Sequence, residues 1–265
     1  MAKRKKSAVL PIALSAMILA IIAVVMVVFE KPRINPETSC LMSGPKSITA
    51  VIIDTSDPLM PHQEEAFQGF IKELTGLKPS KYYVPKHHLL VAYEIAKTQE
   101  GKPKKIFRSC NPGDPEKRDA TAKLTEGTIL SRIRWAQFKK KLSDAFPDSM
   151  TKHEAPLSPI IETIRYVRNA EFPSSAVLKE SGHSGGVIFI ISDLLQNTDR
   201  LTHFGKLPPY KNVPSNFALE LSGIDIGLRY LKFGKYQEYQ TKSHFAWWRK
   251  FFAISGARMR TPGVW

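Results

Sequence analysis

The sequence predicts a three-layer α/β fold with a largely parallel sheet and one antiparallel edge, carried behind an N-terminal transmembrane helix. Three observations lead there. Short β-branched runs such as Ser47–Ile53 (SITAVII) and Gly185–Ser192 (GGVIFIIS) are apolar on both faces, which suits strands covered on two sides. Segments with helical spacing of apolar residues separate them. A charge-free run from Ala8 to Phe29 follows Lys3, Arg4, Lys5 and Lys6.

That leading run comes first in the chain. As a helix it would be about 33 Å long, enough for a hydrocarbon core. The basic cluster orients it, so residues 1–7 form a cytoplasmic tail and the chain beyond 29 faces the other side. The run ends Val27-Val28-Phe29-Glu30 with no small-x-small cleavage step, and therefore reads as a permanent signal anchor over 8–29 rather than a cleaved leader. Cys40 lies well past the run, behind Glu37, Thr38 and Ser39, and does not read as a lipidation site. Residues 30–46, with Pro32, Pro36, Gly44 and Pro45, read as a stalk.

The first strand, Ser47–Ile53, ends at Asp54. Pro61 to Leu77 has helical spacing through Phe67, Phe70, Ile71 and Leu74 and is closed by Gly76. Leu89–Ile95 and Lys105–Ser109 read as a hairpin about Gly101-Lys102-Pro103, which supplies the antiparallel edge. Leu130 to Phe146 reads as a helix with Trp135, Phe138, Leu142 and Phe146 on one side and a crowd of Arg and Lys on the other. Ser158-Pro159 reads as a helix start, with serine as cap and proline at the first helical position. Ile160, Ile161, Ile164 and Val167 carry that helix inward. Strand Gly185–Ser192 ends at Asp193. A late strand over Ile224–Leu231 places Ile224, Ile226, Leu228 and Tyr230 on one face. Ser243–Ser255 reads as a final aromatic helix covering the sheet, with membrane or partner contact as the alternative. Residues 259–265 read as a tail.

The chain carries 39 Lys and Arg against 24 Asp and Glu, a formal charge of +15. That balance suits anionic lipid headgroups or acidic protein partners, and a setting outside the cytoplasm disfavours nucleic acid. Of the two cysteines, Cys40 and Cys110, both follow the anchor, where one disulfide is permitted; two free thiols are the alternative. No Cys/His cluster with zinc spacing occurs, and no phosphate-binding glycine loop precedes a helix.

Two strands that end in aspartate are the best candidate for a site. In such sheets ligands bind beyond the carboxyl ends of the strands, where strand order reverses. If the two strands are neighbours, Asp54 and Asp193 share one rim, and Ser56 and Ser158 can add hydroxyls. Oxygen ligands of this kind suit Mg²⁺, Ca²⁺ or Mn²⁺. The alternative is that both carboxylates cap nearby amides.

This pattern resembles the von Willebrand factor A domain, a Rossmann-like fold whose metal-ion-dependent adhesion site combines an Asp-x-Ser-x-Ser loop, a Thr from a later loop and an Asp after a central strand. Asp54-Thr55-Ser56-Asp57-Pro58 matches the Asp and the first Ser, with Pro58 in place of the second. Ser158 stands where the Thr would be, and Ile191-Ser192-Asp193 matches the third element. The resemblance assigns 47–258 to one domain. It implies a protein–protein interaction module that shares a divalent ion with a partner's carboxylate through Asp54, Ser56, Ser158 and Asp193. The Ser192–Asn197 stretch and the helix Phe245–Phe252 look like membrane-anchored A-type proteins of bacterial mobile elements, which implies an inner-membrane, single-pass protein with a periplasmic domain in a conjugative machine. The competing expectation is a membrane-tethered, metal-dependent phosphoester hydrolase. An apolar strand followed by Asp is also similar to the haloacid dehalogenase phosphatases, but those need a second Asp where Ser56 stands.

Overall fold

The structure is a computed structural model that describes residues 17–18, 33–76, 80–95, 102–117, 127–146, 156–174, 185–209, 213 and 215–265. The expected anchor over 8–29 lies outside the described residues, Met17 and Ile18 apart, and so does the cytoplasmic tail. Among the described residues no helix is long and apolar enough to cross a membrane.

The fold is α/β around a mostly parallel, seven-stranded mixed sheet. The elements are β1 (Ile48–Ile53), α1 (Pro61–Thr75), β2 (Leu89–Glu94), β3 (Lys104–Cys110), α2 (Thr128–Ala145), α3 (Ile160–Glu171), β4 (Gly186–Ser192), β5 (Ile224–Tyr230), α4 (Lys242–Ile254), β6 (Arg258–Met259) and β7 (Gly263–Val264). The order across the sheet is β3-β2-β1-β4-β5-β6, with β7 also on β5. Only β2 and β3 pair antiparallel; the other pairs are parallel.

Alternation along each strand divides the core in two, as the period of two requires. Ala50 and Ile52 of β1, Ile188 and Ile190 of β4, and Ile226 and Leu228 of β5 face Ile160, Ile164, Trp248 and Phe252 of α3 and α4. Val51, Ile53, Phe189 and Ile191 face the other way, onto Phe67 and Phe70 of α1. Trp135, Phe138 and Leu142 of α2 complete that second layer. Burial on both faces explains why the strands read as uniform apolar runs. The aromatic helix is part of the core: Trp247, Trp248, Phe251 and Phe252 are buried. Gly76 ends α1 in the left-handed conformation, at φ 77°.

Two segments differ from the sequence expectation. The stretch 33–46, expected as a stalk, lies against the β3 edge of the domain. Thr38 O accepts from Cys110 N–H at 2.7 Å and from Ser109 Oγ–H at 3.0 Å, and Lys141 of α2 donates to Glu37 O at 2.8 Å. Cys40 and Cys110 form a disulfide across a sequence separation of 70. A closed loop of that length contributes about 4 kcal/mol in the chain-entropy model. The residues expected as a tail after 258 run along the outer edge of β5 instead. Arg229 and Tyr230 pair with Gly263 and Val264, and Asp225 pairs with Arg258. Strands of two residues are too short to carry a periodic signal. Asp225 draws them in by accepting from Arg258 and Arg260 at 2.9 to 3.1 Å.

Candidate functional site

Because β1 has β2 on one side and β4 on the other, strand order reverses between β1 and β4. Ile53 is in register with Ile191, and the Asp54 N–H donates to Ile191 O at 2.8 Å, which carries the ladder one residue past the strand. Asp54 and Asp193 therefore leave neighbouring strands at the same edge, where ligands of open α/β sheets bind.

Asp54 is buried at 4% exposure and accepts through both oxygens. Oδ1 takes the Ser56 N–H at 3.0 Å, a local turn closed by the carboxylate. Oδ2 takes the hydroxyls of Ser192 at 2.7 Å and Ser158 at 3.1 Å. Ser192 Oγ in turn accepts the Leu194 N–H at 2.8 Å. Asp193 Oδ1 accepts the Leu195 N–H at 2.9 Å. The structure thus brings Asp54 and Ser158 into direct contact. Ser56 approaches Asp54 through its backbone N–H.

The sequence expects Ser158 to cap the helix, and it does not. The helix begins at Ile160 behind Pro159, and the free Ile161 N–H is taken by Gln196 Oε1 at 3.0 Å. The Ser158 hydroxyl is therefore available to Asp54. Its backbone exchanges two hydrogen bonds with Asn197, at 2.9 and 3.0 Å, which ties the loop before α3 to the loop after β4.

Two further residues belong to the site. Asp57 is buried and forms an ion pair with Lys235, from the turn after β5. Ser56, Asp57, Ser158, Asp193, Lys235 and Tyr236 line a crevice of about 510 Å³ at the rim. Burial pushes the Asp193 carboxyl well above the usual carboxylate range; the charge of Asp54 adds to this, while the Leu195 N–H and Lys235 oppose it. The hydrogen bond to Asp57 raises the Lys235 pKa, so its ammonium stays charged. Among the described residues no group of three or more His, Cys, Asp or Glu is placed to hold a metal ion. Asp54 accepts from three internal donors, Pro58 offers no hydroxyl, and an ammonium already pairs with Asp57. A divalent ion would have to compete with Lys235 for this crevice. The same three hydrogen bonds draw on its lone pairs and leave Asp54 poorly disposed as a nucleophile.

Behind the rim, Leu194 adopts the left-handed region at φ 59°, a conformation strained for this side chain. Its carbonyl accepts from Trp248 Nε1–H at 2.8 Å and lies 3.1 Å from His244 Nε2 and 3.3 Å from His203 Nδ1. Tyr230 OH lies 3.0 Å from His244 Nδ1, and His203 Nδ1 lies 3.2 Å from His244 Nε2. Gln240 donates to Asp193 O at 3.3 Å and to Leu231 O at 2.6 Å. This network holds the turn that aims Asp193 at the crevice.

Burial depresses His203 to a pKa of about 3 and His244 to about 4. The unfolded chain then takes up protons first. Stability due to this pair is complete above about 6.5, the unfolded value, and falls as pH drops from there towards the folded values. Each pH unit in that window is expected to cost about 1.4 kcal/mol per histidine. Asp193 works in the opposite sense, since its raised pKa favours the folded state at low pH. The difference in urea midpoint between the wild type and His203→Phe, followed from pH 7 to pH 4, isolates the histidine. The wild type should lose stability relative to the variant as pH falls, and parallel curves would contradict the assignment.

No family model matches this chain, and no curated protein matches it.

Proposed function

We propose that this chain is a membrane-anchored, von Willebrand A-like module that works by protein–protein interaction on the periplasmic side of a bacterial inner membrane, within a conjugative or mobile-element machine. The reading rests on one observation above all. Asp54, Ser158, Ser192 and Asp193 come from three separate stretches and meet at the point where the strand order of the sheet reverses. The Cys40–Cys110 bridge supports an oxidising compartment for the domain. The basic run before Ala8 supports the orientation. Protein docking is favoured over phosphoester hydrolysis because Asp54 is spent on internal donors and Ser56 cannot serve as the acid/base.

In this reading Lys235 is the resident cation of the rim. It balances Asp57 and leaves the crevice ready for a partner's polar groups, and a divalent ion such as Mg²⁺ is an addition that must displace it. The variant Lys235→Met should then bind Mn²⁺ at least ~10-fold more tightly than the wild type, a gain of about 1.4 kcal/mol. Calorimetric titration of both proteins checks this, and equal affinities would remove Lys235 from the role.

The function itself is tested by crosslinking and purification from native membranes, with and without chelator, for the wild type and Asp54→Asn. The reading expects a co-purifying protein that survives chelator and is lost in the variant. Retention of that protein by a folded Asp54→Asn would overturn it, as would metal-dependent phosphoester turnover that Asp54→Asn abolishes.

A further inference from the structure

Away from the rim, Arg229 is a buried cation surrounded by aromatic rings. It sits near the carboxyl end of β5, in register with Ile191, and is only 4% exposed. Its guanidinium carbon lies 4.4 Å from the ring centre of Tyr82, 4.7 Å from Phe70, 5.6 Å from Phe189 and 5.8 Å from Trp265. Four rings around a cation stabilise its charge, but they satisfy few of its five N–H donors. One of these donates to Leu228 O at 3.2 Å, and the Tyr82 side chain shares a further hydrogen bond with the guanidinium. The carboxylate nearest along the strand, Asp225, is taken by Arg258 and Arg260. Among the described residues no acid forms an ion pair with Arg229.

Beside the guanidinium is a pocket of about 720 Å³ walled by Phe70, Tyr82 and Trp265. Burial pushes the Tyr82 pKa up, and the hydrogen bonds and charges of Arg229 and Lys81 more than offset it, so its pKa lies below the usual phenol value. Buried arginine framed by aromatic side chains is the composition of an interface anchor. The planar fork of a guanidinium matches a carboxylate with two parallel hydrogen bonds. Glu65 and Glu73 line the pocket beside Lys72 and Arg229, so the acids and these bases balance, which favours a single negative charge over a doubly charged phosphate.

We propose that Arg229 and its aromatic walls form a second binding site, separate from the rim crevice, for a carboxylate that a protein partner presents next to an aromatic side chain. The carboxylate takes the guanidinium fork and the aromatic side chain lies against the partly exposed Tyr82 and Trp265.

The test uses the full chain in non-ionic detergent and small probes, so it does not depend on the rim or on knowing the partner. The readout is the Trp265 contribution to fluorescence, obtained as the difference from Trp265→Phe. N-acetyl-phenylalanine should give a saturable change in the millimolar range, and its neutral amide should bind at least ~10-fold more weakly. Arg229→Gln should reduce the acid to the affinity of the amide, and Arg229→Lys should fall between. A probe with a side-chain carboxylate, N-acetyl-glutamyl-phenylalaninamide, distinguishes the sources: tighter binding than N-acetyl-phenylalanine assigns an acidic side chain, weaker binding a chain end. The proposal is overturned if the acid gives no saturable change, if the amide binds equally well, or if inorganic phosphate binds more tightly than both acids. The wild-type comparison of acid with amide decides the matter even if Arg229→Gln does not fold.

Discussion

Gly186→Ala is expected to prevent folding of the domain. Gly186 opens β4 at φ 128°, in the region that side chains rarely adopt, and a Cβ there would lie 1.9 Å from Ile48 O and 2.8 Å from Ile48 C. Neither atom can move away, because Ile48 is in register with Gly186 at the start of the β1–β4 ladder. Backbone strain of about 1 to 3 kcal/mol combines with a clash against a strand, and the sum approaches the whole stability of an ordinary domain. The two strands concerned are also those whose far ends carry Asp54 and Asp193. Circular dichroism and limited proteolysis of the purified variant provide the check. A cooperative transition within a few degrees of the wild type would show that the β1–β4 pairing is wrong.

The second large effect is expected at Asp54. In Asp54→Ala the Ser158 and Ser192 hydroxyls and the Ser56 N–H lose their shared acceptor inside a buried site. Hydrogen bonds to a charged group contribute about 1.5 to 3 kcal/mol each, and the hydroxyls can partly re-aim, so a net loss of about 3 kcal/mol follows. The electrostatic consequence is separate. Removing the Asp54 charge takes away one of the causes that raise Asp193, whose pKa should fall although burial still holds it high. The isosteric Asp54→Asn shares this second effect with a smaller loss of stability. Urea unfolding reads the first quantity, and carboxyl carbon chemical shifts against pH read the second. An unchanged Asp193 titration would mean that the two groups do not share a rim.

Much of the fold could be read from the chain because its strands are buried on both faces. SITAVII and GGVIFIIS leave no doubt about a strand, and each ends in an acid whose position is clear. That β1 and β4 are neighbours is a tertiary fact, absent from either run alone. Lys235 lies 178 residues from Asp57, and nothing local marks it as a partner. Ser158 stands before a proline at a helix start, so local rules favour a cap; Gln196, 35 residues from Ile161, takes that job and releases the hydroxyl. Ser192 closes an apolar strand, and its polar character was the one available signal of a role for its side chain. His203 and His244, 41 residues apart, look scattered until the Leu194 carbonyl gathers them. Arg260 falls in the expected tail and Arg258 at its border, and their acid, Asp225, sits in an otherwise apolar strand.

We propose that the rim between β1 and β4 meets a protein partner outside the cytoplasm. The direct measurement is a photoreactive side chain at Ser56, at the mouth of the crevice, compared with the same probe at Ile129, exposed at the start of α2. Illumination of intact cells should give one discrete adduct from Ser56, none from Ile129, and a loss of the adduct when Asp193→Ala is added. An adduct from Ile129 with none from Ser56, or an Ser56 adduct indifferent to Asp193, would contradict the account.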